Sequence, residues 1–288
     1  GNNYSNLTLS HLQSDGYRNH TNMRKDVFHY TGNYEAGKRH RIGLNVLYSD
    51  LFYQTPGALN LAELNANPAQ ARPAAGAFQG AATQQAAIYL KTFYTSLSDE
   101  IKINKNWTNT TGLYASYTDF ENPTIRNYED KYERGAGGRT VFQIKKSFFT
   151  GTFGAEYQQG FFNTGVYGNK EGVKDTLQFI ASIQSKQLNV FAQTDFKLPA
   201  DFLISAGISF NNFNYSYIKN SEINALKESS NFEPQFIPRL SLLKKIKAMS
   251  IYATIGSGYS VPTIDEVHAG NDEFNSALKA ETAINYEL

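Results

Sequence analysis

Cysteine is absent from this chain of 288 residues, and methionine (2) and tryptophan (1) nearly are. Without thiols there is no disulfide framework, no thiolate metal site and no cysteine nucleophile. Charge is scarce too, at 18% of residues against about 25% in an ordinary soluble domain. The 27 Lys and Arg nearly cancel the 26 Asp and Glu. No basic stripe is left to follow a phosphate backbone, and nucleic acid is not an expected partner. Long apolar runs are also missing: the longest, Ala86 to Leu90, is five residues, where a spanning helix needs about 20. The opening residues, Gly1 to Asn6, carry neither a basic start nor an apolar core, so no signal peptide is expected among them.

Aromatic residues are plentiful, with 19 Tyr and 20 Phe. They fall in segments whose hydrophobic period is two. Ile42, Leu44, Val46 and Tyr48 alternate with Arg41, Gly43, Asn45 and Ser49, with Leu47 the one apolar exception. Phe149, Phe153, Ala155 and Tyr157 alternate with polar or small residues in the same way, and so do Phe202, Ile204, Ala206, Ile208 and Phe210. About twelve such segments are expected by this criterion, centred near Leu7, Phe28, Val46, Phe93, Tyr114, Phe142, Phe153, Val190, Ile208, Leu240, Tyr252 and Asn285. Helix is expected almost nowhere.

The connections alternate in length. Tight turns are read at 35–38, 105–107, 145–147, 198–201 and 244–247. Long polar links are read between them, at 15–22, 50–85, 119–138, 160–175, 216–235 and 258–281. A soluble sandwich has no need to sort its loops by length onto opposite ends. A transmembrane barrel does, because lipid offers no water to unpaired backbone groups, and short inner turns then alternate with long outer loops. The expected fold is therefore all-β, an antiparallel transmembrane β-barrel. Trp107, Phe148, Phe149, Phe196, Phe202 and Tyr252, close to the tight turns, suit an interfacial girdle. Lumen-facing positions are expected at Asn45, Gln143, Glu156, Gln158, Ser205, Ser209 and Asn211. The link at 50–85, with a short helix read over Leu59 to Leu64 and an Ala-, Gln- and Gly-rich remainder, reads either as a large ordered outer loop or as a flexible connection.

Several stretches resemble one family. The run from Gln187 to Leu198 leading into Phe202 to Phe213, then Pro238-Arg239-Leu240-Ser241-Leu242, the run from Ser250 to Glu266, and the run from Leu278 to Leu288 follow the order seen in TonB-dependent outer-membrane receptors. Gly258-Tyr259-Ser260-Val261-Pro262 departs mildly, since the family usually has Arg or Lys with an aromatic before this Pro. Ser14-Asp15-Gly16-Tyr17-Arg18 and Tyr53-Gln54-Thr55-Pro56-Gly57-Ala58-Leu59 are similar to the ferric-siderophore branch.

The resemblance implies a barrel of about 22 strands around a plug. About twelve belong to this chain, so residues 1–288 are expected to be an interior piece of the barrel domain, without plug or terminal strands. It also implies a function: import of a ferric siderophore or similar metal chelate across the outer membrane of a Gram-negative bacterium, energised by TonB acting on the plug. The remaining partner is outer-membrane lipid. Two alternatives stay open, a passive porin-like or fatty-acid channel and a soluble β-sandwich that binds glycans.

No enzymatic reading finds support. His11, His20, His29, His40 and His268 have no ligand spacing, so no metal site is expected, and no nucleophile elbow, phosphate loop or dinucleotide fingerprint occurs. No cofactor is expected. Asp265-Glu266-Val267-His268 reads as a solvated loop, and Gly135-Ala136-Gly137-Gly138 as a mobile loop tip. Ferric chelates are often anionic and flat, and Arg with aromatic rings suits them. On that chemistry the candidate ligand-binding residues are Arg126, Tyr128 and Arg134 in one outer link and Phe161, Phe162 and Tyr167 in another.

Overall fold

The computed structural model describes residues 3–268 and 274–288. Among them one antiparallel sheet dominates. Its strands are β1 (Tyr4–Ser14), β2 (Met23–Ala36), β3 (His40–Gln54), β4 (Ala87–Lys102), β5 (Trp107–Pro123), β6 (Asn127–Lys145), β7 (Phe149–Lys170), β8 (Val173–Leu198), β9 (Phe202–Ile218), β10 (Lys227–Asn231), β11 (Gln235–Ile246), β12 (Met249–Ser260) and β13 (Glu281–Glu287). Two short helices, α1 (Leu61–Ala66) and α2 (Ile264–Val267), lie in connectors.

The strands pair in chain order from β1 to β9 and on through β11, β12 and β13, while β10 hangs on the outer part of β9. All twelve centres read from the alternation fall in strands, and β10 is a thirteenth within the link read at 216–235. Among the described residues β1 pairs only with β2, and β13 only with β12, so the sheet is open at both edges. A single sheet with no second layer is not a sandwich. No helix of the structure is long and apolar enough to cross a membrane, which says nothing against crossing by strands.

Register sorts the side chains onto two faces. One row on the apolar face runs Phe28, Tyr48, Phe93, Tyr117, Arg134, Phe161, each directly opposite the next across β2 to β7. Its five rings are each 38–43% exposed. A second aromatic row lies near the tight turns, with Trp107, Phe149, Phe196 and Phe202 on the same face and the Phe149 and Phe196 rings 5.1 Å apart. Tyr252 falls on the other face. Trp107 and Tyr117 are ten positions apart on β5. At about 3.3 Å per residue and a tilt near 40°, that is about 25 Å of height, the thickness of a hydrocarbon band.

The polar face carries Asn45, Gln143, Glu156, Gln158, Ser205, Ser209 and Asn211, all placed there by the pairing register. Hydrogen bonds knit them across strands. Tyr114 donates to Glu156 Oε1 at 2.8 Å, and Asn189 Nδ2 to Asn211 Oδ1 at 2.7 Å. Gly137 makes room for this arrangement: a Cβ there would lie 2.5 Å from the Tyr114 ring. The glycine run 135–138 is thus not a mobile tip but the middle of β6, paired on both sides.

Two links depart from expectation. The spans read at 119–138 and 160–175 are mostly strand, closed by Thr124-Ile125-Arg126 and by Glu171-Gly172. Glu171 (φ 54°) and Gly172 (φ 84°) are both left-handed, as a tight two-residue hairpin demands. Strands β7 and β8, 22 and 26 residues long, far exceed the roughly 9–11 needed to cross a bilayer. Their outer halves lack the hydrophobic alternation, yet ladder hydrogen bonds need no apolar side chains.

The outer connector of residues 55–86 is ordered and pinned to its neighbours: Arg18 donates twice to the Gln70 carbonyl, and Arg126 lies 4.2 Å over the Phe78 ring. Gln84 and Asn169 exchange side-chain-to-backbone bonds in both directions. Its helix α1 starts at Asn60, whose Oδ1 accepts from the Glu63 amide at 3.0 Å while Glu63 Oε2 accepts from the Asn60 amide at 2.9 Å.

Candidate functional site at the outer end of the polar face

The β12–β13 connector folds back onto the polar face. Val267, fully buried, seats α2 against Ala181 and Ile183 of β8 and Tyr215 and Tyr217 of β9, with Phe162 and Phe179 packed around them. The sequence signal for α2 is its start: Glu266 Oε2 accepts from the Thr263 amide at 2.6 Å and from the Thr263 hydroxyl at 2.9 Å. The tetrapeptide read as a solvated loop is therefore a capped turn of helix with its apolar residue in a core.

Beside it opens a cavity of about 430 Å³. Strand β6 supplies Glu129, Lys131 and Glu133, whose period-two spacing turns all three carboxylate and ammonium groups to this face. Phe120 of β5, Phe162 of β7 and Phe179 of β8 form aromatic walls, and Asp265 and His268 close the side made by α2. Lys131 Nζ lies 3.3 Å from Glu129 Oε2 and 5.6 Å from the Phe120 ring. The His268 ring meets Phe179 edge-on at 5.8 Å and Tyr217 at 5.0 Å. Burial pushes the Glu133 carboxyl above its ordinary value; Lys131 pulls it back and Asp265 adds to the rise. Aromatic faces beside charged groups can grip a flat, polar ligand by stacking and charge-assisted hydrogen bonds.

Of the six residues singled out from sequence, Phe162 lines this cavity. Arg134 and Phe161 sit opposite one another in the outer aromatic row of the apolar face. Tyr128 and Tyr167 are partners near the β6–β7 tip, with Lys174 Nζ 5.4 and 5.6 Å from their rings. Arg126 is engaged with Phe78. None of the six is in a long loop: five are in strands and Arg126 is in the tight β5–β6 turn. Glu129, Lys131 and Glu133 lay within the same charged stretch but were indistinguishable from Tyr128, Asp130 and Arg134 without a register. Phe120 and Phe179 carried no signal of their own, and Asp265 lay in the tetrapeptide read as a solvated loop.

A second charged cluster lies on the apolar face above the aromatic row. Asp119, Glu121 and Asp130 each offer an oxygen, all within 4.8 Å of one another. A fixed ammonium already fills the cation's role, since Lys174 Nζ lies 2.5 Å from Asp130 Oδ2, and Tyr128 donates to Glu121 Oε2 at 2.5 Å. Burial raises the Asp119 carboxyl, and Glu121 and Asp130 raise it further. The cluster staples the β5–β6 and β7–β8 hairpins.

The model of the β-barrel of TonB-dependent receptor-like proteins matches residues 90–288. The chain belongs to the TonB-dependent receptor β-barrel family. Solved structures agree in fold. A ferric citrate transporter, FecA, superposes with a TM-score of 0.79 at 12% identity, over 99% of this chain and 43% of its own. The siderophore receptor PiuA from Acinetobacter baumannii gives 0.72 at 13%, over 99% and 50%, and the copper transporter OprC gives 0.72 at 12%, over 99% and 46%. No curated protein matches the sequence at a significant level. This chain thus spans about half of each of these receptors or less, and at such identities the likeness is one of fold. As part of a TonB-dependent receptor barrel, the polar face is the lumen wall, and the cavity lies on it at the end bearing the long connectors.

Proposed function

We propose that the chain forms part of the wall and outer vestibule of an outer-membrane receptor that imports a ferric siderophore or similar metal chelate, with TonB supplying the energy. One observation carries this reading: the aromatic and charged cavity lies on the lumen face, above the outer aromatic row, where a ligand arriving from outside would first be held. Phe162, Phe120 and Phe179 stack against the chelate, and Lys131, Glu129 and Glu133 supply polar contacts. Arg134 and Phe161, on the other face, hold the barrel at the lipid boundary instead. The family is one of receptors and transporters, not a class of enzymes.

Uptake of ⁵⁵Fe-labelled chelates by cells carrying or lacking the full-length gene, with and without TonB, tests the proposal. The expected result is uptake of at least one chelate that needs both the gene and TonB. Uptake that needs the gene but persists without TonB would point to a passive channel and sink the proposal.

A further inference from the structure

The charge of the cavity indicates what kind of chelate it takes. Among its described lining residues are three carboxylates, Glu129, Glu133 and Asp265, against one ammonium, Lys131, and no arginine. That ammonium is committed, 3.3 Å from Glu129. Glu133 and Asp265 remain, and neither has an ion-pair partner among the described residues. Both line the cavity, one from β6 and one from α2, and Phe162 and Phe179 belong to the same lining. The arginines that would suit an anionic chelate are turned elsewhere: Arg126 over Phe78, Arg134 on the lipid side, and Arg18 against the Gln70 carbonyl. An anion entering here would meet more carboxylates than ammonium groups, with the one ammonium already shared between Glu129 and Glu133.

We infer that this wall selects a metal chelate bearing a protonated amine beside an apolar or aromatic segment. The amine would sit between Glu133 and Asp265, where charge-assisted hydrogen bonds hold it and the neighbouring rings add cation–π attraction. The apolar segment would lie on Phe162 and Phe179. The inference rests on the proposed uptake function and narrows it to a charge class.

The test uses the full-length receptor and ferric complexes of two chelating classes, a linear trihydroxamate and a tricatecholate. Each is made with one free amine and with that amine succinylated, so that the pair differ in net charge at one point. Binding is read by quenching of intrinsic fluorescence. In whichever class is bound, the amine form is expected to bind at least tenfold more tightly than its succinylated partner. In Glu133→Gln with Asp265→Asn the ratio should fall to within twofold, because the succinylated form recovers what the amine form loses. Asp265 is exposed on the connector, so Asp265→Asn alone keeps the test open if the double variant fails to assemble; it should lower the ratio at least threefold. Equal or reversed affinities in the native receptor, or a ratio unmoved by the substitutions, would overturn the charge assignment and leave chelate uptake standing. Binding of neither class, with no gene-dependent iron uptake, would remove the uptake function and the inference together.

Discussion

Ala200 and Asp201 close the β8–β9 turn with φ of 59° at both positions, a conformation costly for any residue with a Cβ. The turn is tight because it lies at the short-loop rim, where Leu198 and Phe202 must remain opposed as partners. Ala200→Gly removes the Cβ penalty while loosening the unfolded chain, and the two effects oppose each other. The first is the larger, so a net gain of up to about 1 kcal/mol is expected in urea unfolding of the receptor in lipid. A loss would show that the Ala200 methyl makes a contact that outweighs its strain. Glu133 gives a prediction of the same scale with a pH signature. Its folded pKa is raised above the ordinary 4.5 by burial, with Lys131 opposing and Asp265 reinforcing, and Glu129 and the His268 ring complete the polar surroundings. For a raised acid, stability is full below the unfolded pKa and lost as pH climbs through the folded one. Glu133→Gln mimics the protonated form. The variant should therefore be the more stable at neutral pH, with the difference shrinking toward pH 4. A difference independent of pH would mean that the amide acts by packing rather than by removing charge.

At the scale of elements, the connector at 55–86 depends on a few hydrogen bonds for its order. Asn169, near the β7–β8 tip, donates to the Gln84 carbonyl at 2.9 Å and to the Thr124 carbonyl at 2.6 Å, and accepts from the Gly172 amide at 2.9 Å. Gln84 in turn accepts from the Glu171 amide at 2.8 Å. Both side chains are at least nine-tenths buried. Asn169→Ala leaves buried carbonyls without donors, at about 1–3 kcal/mol each. Opening of the connector should then rise roughly 5- to 100-fold, read as hydrogen exchange in residues 80–86 and as faster proteolysis there, with the sheet itself unchanged. Exchange as slow as in the native receptor would mean that Arg18 and Arg126 suffice to hold the connector.

The strands themselves were plain in the sequence wherever one face is apolar and the other polar, because that contrast writes a period of two. Above the aromatic row the contrast disappears, and so did the signal: β6 from Asn127 to Arg134 alternates nothing but polar and aromatic groups. Glu133 and Arg134 are neighbours in sequence yet face opposite sides of the wall, a choice set by register alone. For the same reason the charged stretch was recognised as important while its inward-facing half could not be picked out, and α2 was hidden in four residues too short to show a helical period.

For the whole molecule, the consequential claim is the placement of a hydrocarbon band between the two aromatic rows, and it can be tested by depth. Leu113 is 63% exposed on the apolar face, midway between Trp107 and Tyr117 on β5, and faces Leu97 on one side and Gly138 on the other. If lipid fills that band, Leu113→Arg puts a cation at the bilayer midplane, where the cost is about 2–4 kcal/mol. Tyr117→Arg puts the same cation at the interface, where the cost is about 0–1 kcal/mol and the side chain can reach the headgroups beside Arg134. Urea-driven unfolding of the full-length receptor in phospholipid bilayers should therefore separate the two variants by about 1–4 kcal/mol, the midplane variant being the weaker. The separation should shrink in a short-chain detergent, which deforms around a charge more readily than a bilayer. Equal losses at the two depths in bilayers would mean that the apolar face is covered by something other than lipid, and the two aromatic rows would then need a different explanation from a membrane's two surfaces.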